Sequence, residues 1–173
     1  MTDEVRVRTG TPEDLDSIME LALKVAKENG VFAPNIDKVL SEIWPALHRH
    51  QGIVGVIGEP GGKLEGFALL RIGQQWYNNM EILEERVVYV DQKFRSAKGG
   101  RARKLYEFCK HTSDVLELPL IVGVLSSTRT EGKTRLLRRL FGPEVGAFWW
   151  HGPKTGSWHT EDATTQGSEA SLG

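Results

Sequence analysis

Apolar and polar residues change their spacing several times along this chain, and each change predicts an element. Val5-Arg6-Val7-Arg8 alternates as a short half-buried strand does, and Thr9-Gly10 breaks it. A helix start follows. The Thr11 hydroxyl can cap, Pro12 suits the first helical position, and Asp14 completes a capping-box-like spacing. Leu15, Ile18, Met19, Ala22, Val25 and Ala26 form one stripe at helical spacing, and Asn29-Gly30 ends it. After Asn35 a second helix carries Val39, Leu40, Ile43, Trp44 and Leu47, with Pro45 expected to kink or shorten it.

From Gly52 the period shortens. Ile53 to Ile57 reads as a buried strand, Glu59-Pro60-Gly61-Gly62-Lys63 as a turn, and Leu64 to about Ile72 as the returning strand. A polar loop with Trp76, Tyr77, Asn78 and Asn79 leads to a third strand from about Glu81 to Val90. A basic helix from about Gly99 to Ser113 comes next, then a strand over Leu120 to Leu125. A helix carrying Leu136, Leu137 and Leu140 then ends at Gly142-Pro143, and a final strand covers Ala147 to Trp150. The remainder, mostly Gly, Ser, Thr and acidic residues, is expected to be a disordered tail. The expected organisation is one domain over residues 1–152 and a tail over 153–173.

At 173 residues the chain can bury a core without disulfides or a structural metal. Lys and Arg number 22 against 23 Asp and Glu, so the overall charge marks neither a globally basic nucleic-acid binder nor an acidic tail. The single cysteine, Cys109, cannot form an internal bridge, and no Cys/His spacing suggests zinc. It lies among Leu105, Phe108 and Thr112 and reads as core. The polar, acidic N-terminus lacks the pattern of a signal peptide. A cytoplasmic protein without membrane or metal is expected.

One stretch concentrates chemistry. Between Val88 and Leu105 an apolar strand joins a helix through a loop with Gly99-Gly100 and six cations: Lys93, Arg95, Lys98, Arg101, Arg103 and Lys104. Unpaired N–H groups at a helix N-terminus, approachable through glycine and aided by the helix dipole, suit a phosphate. The alternative is that the same residues form an ordinary loop and a solvated helix face.

This stretch resembles the pyrophosphate-binding motif of the GNAT superfamily of acyl-CoA-dependent N-acetyltransferases. That motif runs V-x-P-x-[YF]-R and then x-x-G-x-[GA]-x-x-L. Val90, Phe94 and Arg95 match its first half, and Gly100-Arg101-Ala102-Arg103-Lys104-Leu105 fits the second after a two-residue insertion. Gln92 stands where the family has proline. Leu136 to Pro143 also resembles the family's last helix and the turn after it.

The resemblance implies an α/β (α+β) GNAT-like fold, with a mixed, mostly antiparallel central sheet flanked by about four helices. It implies an N-acetyltransferase moving an acetyl group from acetyl-CoA, as co-substrate, to a primary amine on a small molecule or protein. The pantetheine arm would bond the backbone of Val88, Tyr89 and Val90. The phosphates would lie on Arg95, Ser96, Ala97, Lys98, Gly99, Gly100, Arg101 and Ala102.

A carboxylate on the third long strand would act as base. Counting in twos puts Glu84 on the face of Val88 and Val90, with Glu85 on that face only if a bulge intervenes. The family's usual tyrosine acid is Leu137 here and a common upstream asparagine is Thr130, so Ser126, Ser127 and Tyr77 are substitutes for the acid. The acceptor is expected over the first two helices and the Trp76 loop, where Val31, Phe32, Trp44, Trp76 and Tyr77 lie. Small members of the family often dimerise through C-terminal strands, a contact Trp149-Trp150 would suit. The competing reading is a non-catalytic protein of the same fold that binds nucleic acid or a protein partner through residues 93–110.

Removing the chain after Gly152 is expected to leave the Tm nearly unchanged in calorimetry, because the tail offers little apolar surface to bury. A large fall would mean that it docks, with Trp158 the residue best suited to anchor it.

Overall fold

A computed structural model of the chain describes residues 4–30, 32–95, 100–124, 129–149 and 151. It divides into two compact units, one of Met1–Ala22 with Ile36–Gly123 and one of Leu23–Asn35 with Val124–Gly173.

The first unit holds a five-stranded sheet in the order β1 to β5: β1 (Arg8–Thr9), β2 (Gly52–Ile57), β3 (Gly66–Gln74), β4 (Glu81–Val90) and β5 (Leu120–Ile121). The first four strands pair antiparallel and β5 joins β4 in parallel. Parallel pairing needs a crossover. It is supplied by α3 (Arg101–Leu116). Helix α1 (Leu15–Asn29) opens with a 3-10 turn at Pro12–Asp14, and α2 is Ile36–Leu47. Pro45 lies in the last turn of α2, and the helix stops two residues later at Leu47.

Alternation along β2 and β3 sends two apolar sets to opposite faces. Ala68, Leu70, Leu83 and Val90 pack with Ile57 against Leu105 and Cys109 of α3. Gly55 is what allows that contact, since a Cβ there would lie 2.5 Å from the Phe108 ring. On the other face α2 lies over β2 and β3. A Cβ on Gly52 would come within 3.1 Å of Ala46 of that helix. Val54, Val56, Phe67, Ile43 and Leu47 are buried.

An ion pair ties the start of α1 to this sheet. Both Asp14 carboxylate oxygens are 2.8 Å from Arg8, and the same group accepts the N–H of Thr11 (2.8 Å) and of Gly61 in the β2–β3 turn (3.3 Å). Arg8 Nε also donates to the Gly58 carbonyl, and the Ser17 hydroxyl donates to that of Gly62, each at 2.7 Å. The capping-box spacing read from Thr11 and Asp14 is therefore present. Its carboxylate also serves β1 and the hairpin.

Three strands differ from expectation. The first lies at Arg8–Thr9 rather than over Val5 to Arg8, because only these two residues pair with β2. The strand expected to reach Leu125 pairs only at Leu120 and Ile121, with residues 122–124 outside the ladder and Leu125 outside the described residues. Residues 147–149, expected as a strand, have no ladder partner among the described residues, and Trp150 lies outside them. In the second unit α4 (Thr130–Phe141) ends at Gly142 in a left-handed φ of 92°, as the Gly142-Pro143 signal predicts.

Two stability predictions follow from this packing. Burial pushes the Asp14 carboxyl up, but Arg8 and the N–H groups of Thr11 and Gly61 outweigh it and hold the pKa at about 2. The folded value lies below the unfolded one of about 3.9, so the stabilisation is complete above pH ~4 and is lost as pH falls toward 2. Urea midpoints should record a loss of roughly 2 kcal/mol from this group, and Asp14→Asn should lack that component of the slope. Gly55→Ala should lower stability by ~1–3 kcal/mol, since the Phe108 ring must move. An unchanged urea midpoint would mean that α3 shifts freely on the sheet.

Candidate functional site

The candidate site is built on β4, whose pairing with β3 is interrupted. Leu69 faces Val87 and Leu70 faces Glu85, so Arg86 is an extra residue, a β-bulge. The bulge inverts the parity of everything before it. Val88 and Val90 pair with Ala68 and Gly66 on the α3 face, and the carboxylate sharing that face is Glu85, paired with Leu70. Glu84 pairs with Arg71 on the α2 face, so the expectation that Glu84 shares a face with Val88 and Val90 is corrected. Three successive polar residues, Glu84-Glu85-Arg86, interrupt the apolar–polar pattern of the strand, and this was the signal in the sequence.

Each carboxylate has a distinct setting. Glu84 is half-buried, with Oε2 3.4 Å from Arg86. Arg86 and Arg71 also approach Oε2 of Glu42 on α2, at 3.5 and 3.0 Å, in directions that make ion pairs rather than aligned hydrogen bonds. A cleft of about 70 Å³ opens beside Glu42 and Arg71, between α2 and strands β2 and β3. Sequence reasoning missed this charged group, since nothing local links residues so far apart in the chain. Glu85 instead accepts the Gly123 N–H at 3.3 Å, across the gap to the segment after β5. Burial first, and the Glu85 charge second, hold the Tyr106 phenol and the Cys109 thiol well above their ordinary pKa values. Both stay protonated, which suits Cys109 as core and not as nucleophile.

The outer edge of β4 follows from hydrogen-bond alternation. Leu83 donates to Pro119 on the β5 side (2.8 Å), whereas Asp91 donates to Glu65 on the β3 side (2.9 Å). Counting through the bulge turns the backbone groups of Val88 and Val90 to the β5 side and those of Tyr89 to β3. Among the described residues β5 pairs only with Leu83 and Glu84. The two strands therefore part just where the bulge begins.

Beyond Val90 the chain turns toward α3. Asp91 accepts the Lys93 N–H (3.1 Å) and caps a 3-10 turn over Gln92–Phe94. Arg95 folds back so that Nε donates to the Val90 carbonyl (2.7 Å) and its guanidinium lies 5.0 Å from the Tyr89 ring centroid. Gly100 precedes α3 in a left-handed conformation, φ 58°, which a side chain would disfavour. The N–H groups of Arg101 and Ala102 begin the helix and have no partner one turn earlier within it.

Ser96, Ala97, Lys98, Gly99 and Ser126, all expected in the site, lie outside the described residues, as do Ser127 and Val31. The cations are less available than their number suggests. Arg101 pairs with Glu65, Arg103 with Glu107 and Lys104 with Glu4.

Of the aromatic residues expected at the acceptor side, Trp76 and Tyr77 are exposed in the β3–β4 loop, edge to face at 5.5 Å. Trp44 on α2 is exposed and sits edge to face with His48, while Phe32 and Trp149 are exposed in the second unit. Among the described residues no His/Cys/Asp/Glu group could hold a metal, and no helix is long and apolar enough to cross a membrane.

No family model matches the sequence, and no curated protein matches it. Solved structures do. The chain is similar to AAC(6')-Iy in complex with the bisubstrate analog CoA-S-monomethyl-acetylneamine, at TM-score 0.67 and 14% identity over 88% of this chain and 99% of that one. The aminoglycoside N-acetyltransferase AAC(6')-Iy in complex with CoA gives TM-score 0.65 and 14% identity, covering 87% and 95%. A Trypanosoma brucei acetyltransferase gives TM-score 0.63 and 19% identity, covering 87% and 100%. At these identities the likeness is one of fold. The chain has the mixed α/β fold of the GNAT acetyltransferases, as the resemblance of its Val90 to Leu105 stretch implies.

Proposed function

We propose that the protein is an acyl-CoA-dependent N-acyltransferase that moves an acetyl group to a primary amine. The observation that carries this reading is the edge of β4. Past Glu84 it has no β5 partner among the described residues, and it leads from the bulge to the N-terminus of α3. Such an edge offers N–H and C=O groups to the two amides of a pantetheine arm, as a strand offers them to a neighbour. The start of α3 offers N–H groups and a favourable dipole to the diphosphate. Support also comes from the shared fold, since the similar aminoglycoside N-acetyltransferase is a CoA complex and the AAC(6')-Iy ligand joins CoA to an amine-bearing acceptor. A small-molecule amine is accordingly the acceptor class we favour, with a protein amine as the other.

In the reaction the neutral amine nitrogen attacks the thioester carbonyl, the C–S bond breaks, the amine loses a proton and the thiolate of CoA gains one. Glu84 is our candidate for the group that takes the amine proton, directly or through water. It lies on the α2 face, the side expected for the acceptor, whereas Glu85 lies on the α3 face and holds Gly123. The role of Ser126 or Tyr77 as acid is a further part of the proposal. Phosphate-backbone binding through residues 93–110 draws less support, because Arg101, Arg103 and Lys104 already have acidic partners.

Acetyl-CoA is expected to bind one per chain in calorimetry, and absence of binding would overturn the reading. With an accepted amine, Glu84→Gln should keep acetyl-CoA affinity while kcat falls ~10²–10⁴-fold, with partial recovery at high pH as more of an alkylamine is already neutral. A collapse in Glu85→Gln with Glu84→Gln intact would hand the role to Glu85.

A further inference from the structure

Resting on the acyl-CoA reading above, we propose that Glu85 is the end-stop of the acyl chain and confines the site to short acyl-CoA thioesters. A pantetheine arm lying along β4 with its diphosphate at α3 points its acyl end toward the bulge. From Val90 back to Glu85 is roughly 15 Å of strand edge, the reach of an extended arm. At that point the fork between β4 and β5 is closed. Glu84 and Ile121 form the last pair, and Leu83, fully buried, and Leu120 pair behind them.

The Glu85 carboxylate stands in the throat. It faces the α3 side with Val88 and Val90, and its Oε2 reaches across to the Gly123 N–H in place of a ladder bond. Tyr106 and Cys109 of α3 are both buried and feel the Glu85 charge. A methyl group can stop short of this bridge. A longer apolar chain must either break it or press methylenes against a half-buried carboxylate, stripping water from a charge without replacing it. The side chain thus measures length by position and polarity together.

Calorimetric titration of the full chain with acetyl-, propionyl- and butyryl-CoA tests this without an acceptor. An open apolar slot would raise affinity ~4-fold per added methylene. The wild type should instead show no gain, or a loss, from acetyl to butyryl. Glu85→Ala removes the bridge, and butyryl-CoA should then bind ~10-fold more tightly than acetyl-CoA. Glu85→Gln can still accept from Gly123 and should retain the short-chain ranking. If Glu85→Ala unfolds, as far-UV dichroism would report, Glu85→Ser removes the same reach.

A wild-type affinity that climbs steadily with chain length, or a Glu85→Ala or Glu85→Ser ranking identical to wild type, overturns the end-stop while leaving the acyl-CoA reading in place. Failure of every CoA ester to bind overturns both.

Discussion

The bulge at Arg86 is the constraint on which the rest of the candidate site depends. One extra residue in β4 leaves its C-terminal half in phase with the α3 face through Val88 and Val90, while the residues before it are rotated by one position. Glu84 is thereby delivered to α2 and Glu85 to α3, so adjacent carboxylates serve opposite sides of one sheet. The bulge also bends the strand and raises its local twist. The ladder to β5 ends beside it, at Glu84 and Ile121.

Electrostatics in this chain is mostly spent on architecture. The Arg8 and Asp14 pair joins β1 to the start of α1, while the Arg101 and Glu65 pair and the contacts of Glu42 with Arg71 and Arg86 join elements distant in sequence. Arg101 is the instructive case. In a list of cations it belongs to a phosphate site, but its Nε is engaged by Glu65 and its guanidinium lies 5.4 Å from the Phe94 ring centroid. What remains at the start of α3 is the backbone, which carries partial charge regardless of how the side chains are paired. Formal charge density along a helix therefore overstates the field presented to a ligand.

Much of the fold was legible because it rests on local rules. The Thr11, Pro12 and Asp14 start, the Gly-rich hairpin turn and the Gly100 entry to α3 each follow from backbone preferences over a few residues. The stretch from Val90 to Leu105 carried a family resemblance that the fold matches. The facing of Glu84 was misread because strict alternation fails at a bulge, where the register is set by β3. The strands expected beyond Ile121 and at Ala147 have no ladder partner among the described residues, since an apolar run reports burial and β-propensity and not the presence of a partner. Glu42 was invisible as a member of the site, since its partners Arg71 and Arg86 reach it only across the sheet and helix layers.

The enclosure of Cys109 between α3 and the sheet has a practical consequence. It is the chain's single thiol and has no solvent exposure. A thiol-directed reagent can reach it only when α3 lifts from the strands, so the rate of labelling of the native protein clocks that opening. A cysteine placed on the surface would meanwhile react alone, giving a fluorophore or spin probe a single address on the molecule.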